Sequence, residues 1–80
     1  MFHKVKNVLP LPEFRLSVQF CEGVTKIYDV KPLFEKLSVF AALKDDPALF
    51  GSVSVDVGGY GVIWGEELDL SGDELWEHGT

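Results

Sequence analysis

Residues 53–75 read VSVDVGGYGVIWGEELDLSGDEL, and the first half of this stretch is typical of a β-hairpin. Gly58 and Gly59 suit its turn, because both central residues of a type I′ turn need a positive φ angle, which glycine adopts without a Cβ clash. The resulting register places Val55 opposite Val62 and collects six apolar side chains on one face. These are Val53, Val55, Val57, Tyr60, Val62 and Trp64. A one-residue slip would mix the two faces, so the pattern predicts this register with a buried face.

The two aromatic residues of this hairpin, Tyr60 and Trp64, have two interpretations. Aromatic and β-branched cross-strand pairs commonly hold a sheet together, which favours a place in the core for both rings. The alternative is an aromatic binding surface. We predict the core.

A second hairpin is predicted nearer the N-terminus. Its first strand alternates apolar and polar residues, with Phe14, Leu16, Val18 and Phe20 on one side. A two-residue turn at residues 22–23 would place Leu16 opposite Asp29. Ile27 would lie on the same inner face. Because an unpaired buried carboxylate is costly, we expect Asp29 to accept hydrogen bonds from backbone N–H groups of the next segment. Asp29 is therefore interpreted as a structural cap rather than a catalytic acid.

One further strand and several short helices are also predicted. Residues 3–9 form a strand that Pro10 ends, because proline cannot donate to a ladder. Apolar residues at helical spacing predict a helix near residues 32–37 and another turn over residues 40–43 that fills the core.

The remaining helices are marked by their caps. Asp46 and Pro47 suit the N-cap and the first position of a short helix that Gly51 ends. Ser71 and Glu74 have the spacing of a capping box, in which each side chain accepts a hydrogen bond from the other residue's backbone N–H. The sequence therefore predicts a second capped helix at the C-terminal end.

Together these elements predict a single α+β domain over residues 1–80. It consists of a small antiparallel or mixed sheet of about five strands, built from two hairpins and packed by two or three short helices. A chain of 80 residues buries only about 60% of the surface that it exposes when unfolded, so dimerisation would add stability.

Charge is distributed unevenly along the chain. All seven basic residues lie in residues 1–44 with four acids, whereas residues 45–80 hold nine acids and no base. The net charge of −6 is thus the balance of a +3 segment and a −9 segment. An acidic surface repels phosphate backbones, which argues against direct binding of nucleic acid and favours a basic protein partner. The alternative is that the two segments interleave in the fold and the charges are simply solvated.

Composition also bears on location. Cys21 is the only cysteine, so no disulfide forms within the chain, which fits a reducing compartment. Residues 1–7 contain no apolar run of signal-peptide length, and no stretch approaches the ~20 apolar residues of a membrane span. We expect a cytoplasmic protein that does not insert into a membrane.

No catalytic or cofactor motif is present, so we predict neither an enzyme nor a cofactor or metal site. Gly59 and Gly61 resemble the start of a dinucleotide fingerprint, but the third glycine is missing. His3 and His78 have no metal-ligand spacing. Residues 66–69 hold three acids that could bind a hard cation, but they lack the glycine-punctuated loop of an EF-hand.

Several short motifs occur in a characteristic order. They are Leu9-Pro10, Phe14-Arg15-Leu16, Phe20, Gly23, Tyr28-Asp29-Val30-Lys31-Pro32-Leu33, Phe40, Leu43-Lys44-Asp45, Leu49-Phe50, Val53, Asp56, Gly59, Val62-Ile63-Trp64, Asp69-Leu70 and Leu75. In this order the chain resembles the small bacterial family catalogued as domain of unknown function 2442. Gly65 and Gly72 stand where that family usually has prolines, and Trp76 stands for the usual tyrosine.

The resemblance implies a small α+β domain without an established enzymatic activity. Members are often encoded beside another small gene, and some are described as antitoxin components of putative toxin–antitoxin pairs. Others carry a helix-turn-helix domain after this one, which the present sequence lacks. The resemblance thus implies a partner protein, possibly encoded next door, rather than a nucleic acid.

The leading hypothesis is therefore a non-catalytic protein-binding module, an antitoxin-like partner of a small and perhaps basic protein. The predicted contact residues are Asp56, Glu66, Glu67, Asp69 and Trp76. The acids would set association rate and specificity, and the indole ring of Trp76 would be the apolar anchor. The alternatives are a self-associating homodimer in which the +3 and −9 segments meet, and a domain that binds a small ligand or a metal.

Overall fold

The computed structural model describes residues 3–80 and has six strands and four α-helices. The strands are β1 (Val5–Leu11), β2 (Arg15–Phe20), β3 (Thr25–Asp29), β4 (Ser54–Val55), β5 (Gly61–Trp64) and β6 (Leu68–Ser71). The helices are α1 (Leu33–Lys36), α2 (Ala41–Asp45), α3 (Pro47–Gly51) and α4 (Gly72–His78), with a 3₁₀ turn at Ser38–Phe40. The predicted α+β class is confirmed.

The strands form two antiparallel sheets rather than one sheet of about five strands. Sheet A has the order β1-β2-β3, and sheet B has the order β4-β5-β6. Helices α1 to α3 carry the chain from β3 to β4, and α4 follows β6, so the described residues form four α-helices rather than the predicted two or three. The sixth strand, β6, was missed because the alternation of Leu68, Asp69 and Leu70 is too short to be distinguished from a loop in the sequence. The two sheets meet where Val5 of β1 donates a hydrogen bond to the carbonyl of Gly59, at 2.9 Å.

The central hairpin has the predicted register but a different tip. Val55 lies opposite Val62, and the φ angles of the two turn glycines are +91° and +77°. However, β4 ends at Val55, and the loop that follows is held by Asp56. The Asp56 carboxylate accepts a hydrogen bond from Tyr60 N at 2.6 Å. The backbone carbonyl of Asp56 accepts one from Gly59 N at 3.1 Å. The loop therefore curls away from the core.

That curl places part of the predicted buried face in solvent. Val57 is 96% exposed and Tyr60 is 63% exposed, so the prediction that both are core residues is wrong. Val62 and Trp64 are buried as predicted, whereas Val53 and Val55 are half-buried.

The hairpin nearer the N-terminus, formed by β2 and β3, has a loop one residue longer than predicted. Its loop has three residues, 21–23, because Phe20 N bonds to Val24 O at 2.8 Å and Gly23 N bonds to Phe20 O at 3.0 Å. Gly23 has a φ of +89°, as this loop type requires. Leu16 consequently lies opposite Tyr28 instead of the acid that follows it.

This shift exchanges the two faces of β3. Tyr28 is buried, Ile27 is only half-buried, and Asp29 is exposed, so the predicted inner positions of the last two are wrong. The predicted cap is nevertheless present, because Asp29 Oδ1 accepts a hydrogen bond from Lys31 N at 3.0 Å.

The first strand runs through its proline. β1 continues through Pro10 to Leu11, which an edge strand tolerates because the missing N–H leaves the other ladder bonds intact. The pairing shifts between Val5 and Asn7, so that Val5 and Val8 are both buried while Leu9 is 55% exposed. The prediction that Pro10 ends this strand is therefore wrong.

Both predicted caps are present, although the capping box is only half formed. Asp46 accepts from Leu49 N at 3.2 Å, and Ser71 Oγ accepts from Glu74 N at 3.1 Å. The Glu74 carboxylate does not return the bond to Ser71, because it accepts a hydrogen bond from Tyr28 Oη at 2.8 Å. The tyrosine thus ties helix α4 to sheet A.

The core lies between the two sheets and the helices. The largest fully buried side chains are Trp64, Phe20, Leu16, Leu43, Leu75, Val18, Val30 and Val62. Trp64 ends β5, and its indole Nε1 donates to Phe50 O at 3.0 Å. The same ring contacts the edge of Phe40 at a centroid distance of 6.1 Å. Trp64 therefore joins sheet B to the helical segment by packing and by a hydrogen bond.

Candidate functional site

Two open grooves border strand β6, one beside each of its buried leucines. The Leu70 groove has a volume of about 550 Å³ and lies between β6, the end of β3 and helix α1. Its apolar lining includes Tyr28, Leu33, Leu37, Phe40 and Leu70. The Leu68 groove has a volume of about 520 Å³ and lies at the turn between β5 and β6. Its lining includes Val39, Ala42, Leu49, Trp64, Glu66, Glu67 and Leu68.

The turn between β5 and β6 presents two adjacent carboxylates at the Leu68 groove. Gly65 opens it with a φ of +63°, a backbone conformation that favours glycine. Glu66 and Glu67 follow and are both exposed. Among residues 3–80, neither carboxylate lies within 4.0 Å of a basic nitrogen. The groove therefore combines an apolar floor with uncompensated negative charge.

Asp69 is the third predicted acid and lies on β6 itself. It is exposed, its backbone lies opposite Ile63, and its side chain borders the Leu70 groove. In the described part of the chain it has no ion-pair partner. The structure thus brings Glu66, Glu67 and Asp69 together along one turn and one strand.

The other two predicted contact residues also make contacts within the chain. Asp56 holds the hairpin loop through its hydrogen bond to Tyr60 N. Trp76 is half-buried, with its ring stacked on His3 at a centroid distance of 3.7 Å and Lys26 Nζ 4.5 Å from its centroid. Neither Asp56 nor Trp76 lines either groove. The apolar anchor predicted at Trp76 is therefore packed against the protein's own residues.

Sequence reasoning missed the apolar residues that border the grooves. Leu37 is 49% exposed and Val39 is 61% exposed, and they line the Leu70 groove and the Leu68 groove respectively. The signal was the break in helical spacing at residues 38–39, where the structure has a 3₁₀ turn between α1 and α2. A 3₁₀ turn rotates successive side chains differently from an α-helix, which leaves these two outside.

A hydrogen-bonded array crosses one wall of the Leu70 groove. Tyr28 Oη donates to Glu74 Oε2, and His78 Nδ1 lies 3.0 Å from the same oxygen. Burial, followed by the hydrogen bond to the Glu74 carboxylate, raises the pKa of Tyr28 well above its usual range. The phenol therefore stays protonated and acts as a fixed donor, which is a structural role.

Asp29, the acid that follows Tyr28 at the border of this groove, is paired. Partial desolvation raises the pKa of Asp29, but the hydrogen bonds and positive charge of Lys31 outweigh it, so the pKa is lowered overall. The Lys31 ammonium lies 3.0 Å from Asp29 Oδ1. Asp29 is thus held as a carboxylate by contacts within its own chain.

Within residues 3–80, no three His, Cys, Asp or Glu side chains are grouped closely enough to hold a metal ion, and this includes the acids at 66–69. None of the helices in the same range has both the length and the apolar character needed to cross a membrane.

Comparison with known proteins places the chain in one family. A family model described as a protein of unknown function (DUF2442) matches residues 5–80. The chain belongs to this family. The family assignment expected from the ordered motifs is therefore confirmed. No curated protein and no solved structure matches the chain.

Proposed function

We propose that this member of the DUF2442 family is a non-catalytic protein-binding module that captures a small basic protein. The antitoxin-like role that the family resemblance implies is its specific form, with a partner encoded next door. The observation that carries the proposal is the pair of exposed carboxylates, Glu66 and Glu67, beside the apolar Leu68 groove.

Charge and apolar surface contribute differently at such a site. Exposed acids raise the association rate of a cationic partner and exclude acidic ones, while adding little affinity. Affinity comes from apolar side chains that fill a pocket next to them. Val39 and Leu49 supply such a surface on the helical wall, and among residues 3–80 no basic residue lines this groove. A partner with a lysine or arginine next to an apolar side chain would fit it.

The arrangement of charge within the fold supports the same proposal. Among residues 3–80, Lys31–Asp29 is an ion pair, and His3–Glu22 and His78–Glu74 are contacts that become ion pairs when the histidine is protonated. Each of these pairs lies within one of the two oppositely charged segments, so in the described part of the chain no ion pair neutralises the acidic segment with the basic one. The surface charge of sheet B is therefore available to a partner.

The test is capture of proteins from the native host by the tagged chain and by a double variant, Glu66→Lys with Glu67→Lys. We expect the wild type to retain a small basic protein and the variant to lose it. The control is Glu35→Lys with Glu77→Lys, which changes the net charge equally at two exposed acids that line neither groove. Equal capture by wild type and the 66/67 variant would reject this surface.

A second variant tests the apolar part of the site. Val39→Ser removes an exposed apolar side chain, so it should weaken capture while changing the free energy of unfolding by less than about 0.5 kcal/mol.

Sedimentation at low and high salt separates capture from self-association. A tight homodimer that retains no other protein would favour the alternative in which copies of the chain bind each other.

A further inference from the structure

Among residues 3–80, the outer edge of β6 carries backbone groups without hydrogen-bond partners. The hydrogen bond from Gly72 N to Tyr60 O, at 2.8 Å, fixes the alternation of bonds between β5 and β6. Gly61 and Ser71 are therefore a non-hydrogen-bonded pair, and Asp69 occupies the same kind of position two residues earlier. In such pairs the N–H and C=O groups point away from the neighbouring strand. The backbone groups of Asp69 and Ser71 thus point away from β5.

Three of these groups face the open side of the sheet. They are the N–H and C=O of Asp69 and the N–H of Ser71. Nothing in the described range 3–80 hydrogen-bonds to them. Glu74, which could have accepted a bond from Ser71 N, is engaged by Tyr28 instead. A row of unpaired N–H and C=O groups is a template for pairing with another strand.

Side chains around this edge define what such a strand would contain. Leu68 and Leu70 are buried on one face of β6, and Asp69 lies exposed on the other. Residues directly opposite one another in an antiparallel pair point to the same face. A strand paired with β6 would therefore place one side chain beside Asp69 and its two neighbours beside the leucines, where the grooves lie. Apolar residues suit the grooves.

The charge of β6 determines which residue of the added strand suits the position between the two grooves. Asp69 has no ion-pair partner among residues 3–80, so a lysine or arginine opposite it would complete a cross-strand pair. A second copy of the chain is disfavoured, because symmetric pairing centred on Asp69 brings two carboxylates together. Residues 66–71 contain no base in any register. The charge on β6 thus disfavours pairing with the β6 strand of a second copy and favours pairing with a cationic strand.

From these unpaired backbone groups and the charge of Asp69 we infer that an extended segment of a basic partner adds to the edge of β6 as an antiparallel strand. Its pattern is apolar–basic–apolar, with the basic residue opposite Asp69. The inference rests on the proposed function for its biological partner. It adds the mode of recognition, which is β-strand addition, and it extends the contact surface from the Glu66–Glu67 turn along β6.

The test is a titration of the full ¹⁵N-labelled chain with synthetic peptides, followed by NMR. The probe is acetyl-Thr-Val-Lys-Val-Thr-amide, and its matched controls replace Lys with Glu or methylate the backbone nitrogen of Lys. We expect shift changes centred on the Asp69 and Ser71 amides. We expect binding about fivefold weaker for the Glu peptide, from loss of the cross-strand charge pair. We also expect about fivefold weaker binding for the methylated peptide, from loss of one backbone hydrogen bond.

Variants of the chain separate charge from backbone. Asp69→Lys should reverse the preference, so that the Glu peptide binds more tightly than the Lys peptide. Asp69→Pro removes the outward N–H as well as the charge, and should bind the Lys peptide more weakly than Asp69→Asn does. Proline suits this position because its missing N–H faces away from β5. The methylated peptide tests the same bond in the wild-type chain if the proline variant fails to fold.

The other possible results of the titration would overturn strand addition. Equal affinity for all three peptides, no shift changes at millimolar Lys peptide, or shift changes away from β6 would overturn strand addition. Dimerisation through β6, seen as a concentration dependence of the Asp69 amide shift without peptide, would also overturn it. Strand addition can fail while capture of a basic protein still depends on Glu66 and Glu67, in which case the proposed function stands. Conversely, strand addition stands without it if the peptides bind as described and the capture experiment fails.

Discussion

The two sheets share an antiparallel three-stranded plan but differ at their outer edges. At the β3 edge of sheet A, the chain's own C-terminus supplies a partner, because Thr80 N donates to Ile27 O at 2.9 Å. The acid at the end of that strand, Asp29, is paired with Lys31. At the β6 edge of sheet B, in the described part of the chain, the outward N–H and C=O of Asp69 have no hydrogen-bond partner, and its carboxylate has no ion pair.

On the proposed strand addition, the protein uses the β3 edge for itself and presents the β6 edge to a partner. A short strand with a charged side chain is a usual defence of an exposed edge against self-pairing. β6 has both features, since it is four residues long and carries Asp69. The same carboxylate that prevents pairing with another copy leaves the edge selective for a cationic segment.

The largest expected effect concerns Trp64, in the core that the two sheets share. Trp64→Ala should lower the free energy of unfolding by about 3–5 kcal/mol, because it leaves a large cavity. It also removes the donor to Phe50 O. Urea denaturation measures the loss. Because small domains have only ~5–15 kcal/mol of stability, both sheets should unfold together at lower urea. Separate transitions would show that sheet A does not depend on this residue.

The next effect tests how sheet A is tied to helix α4. Tyr28→Phe should lower the free energy of unfolding by about 1 kcal/mol at pH 7, from loss of the hydrogen bond to Glu74. Because folding raises the pKa of the phenol, its contribution is fully present below the unfolded value of about 10 and is lost as pH rises through the folded value. The wild type should therefore lose its advantage over the variant at alkaline pH. A constant difference from pH 7 to 11 would contradict this role.

The smallest effect compares the two edge acids directly. Asp29→Asn should cost about 0.5 kcal/mol at neutral pH, since its carboxylate is half exposed and screened by solvent. Because folding lowers the pKa of Asp29, this contribution is present above the unfolded value of about 3.9 and is lost as pH falls through the folded value. Asp69→Asn should change the free energy of unfolding by less than that at neutral pH. Equal costs for the two variants would mean that Asp69 also has a partner.

The sequence predicted those features that depend on neighbouring residues. The caps at Asp46 and Ser71 and the pairing of Val55 with Val62 are confirmed, because each is specified by residues within one turn or hairpin. The family was also recognisable from the order of its motifs.

Features set by loop length or by tertiary contacts were not predictable. One extra residue in the loop at 21–23 exchanged the faces of β3, which buried Tyr28 and exposed Asp29. Whether a loop has two or three residues depends on backbone angles that a single glycine does not specify.

The role of the candidate site in binding stays a prediction. Glu66, Glu67 and Asp69 lie near one another because five consecutive residues, 65–69, form the turn and the start of β6. Trp76 was assigned to the surface because nothing in the sequence indicates that His3 stacks on it from the far end of the chain. Long-range contacts of this kind are invisible to periodicity.

Backbone amide hydrogen exchange at β6 tests the open edge most directly. In the free protein we predict that Asp69 N–H exchanges at close to the rate of an unfolded chain, while Leu70 N–H, bonded to β5, is strongly protected. Saturation with the Lys peptide should then protect Asp69. If Asp69 and Leu70 were equally protected in the free protein, the edge would already be covered, and the account of β6 as a binding edge would be wrong.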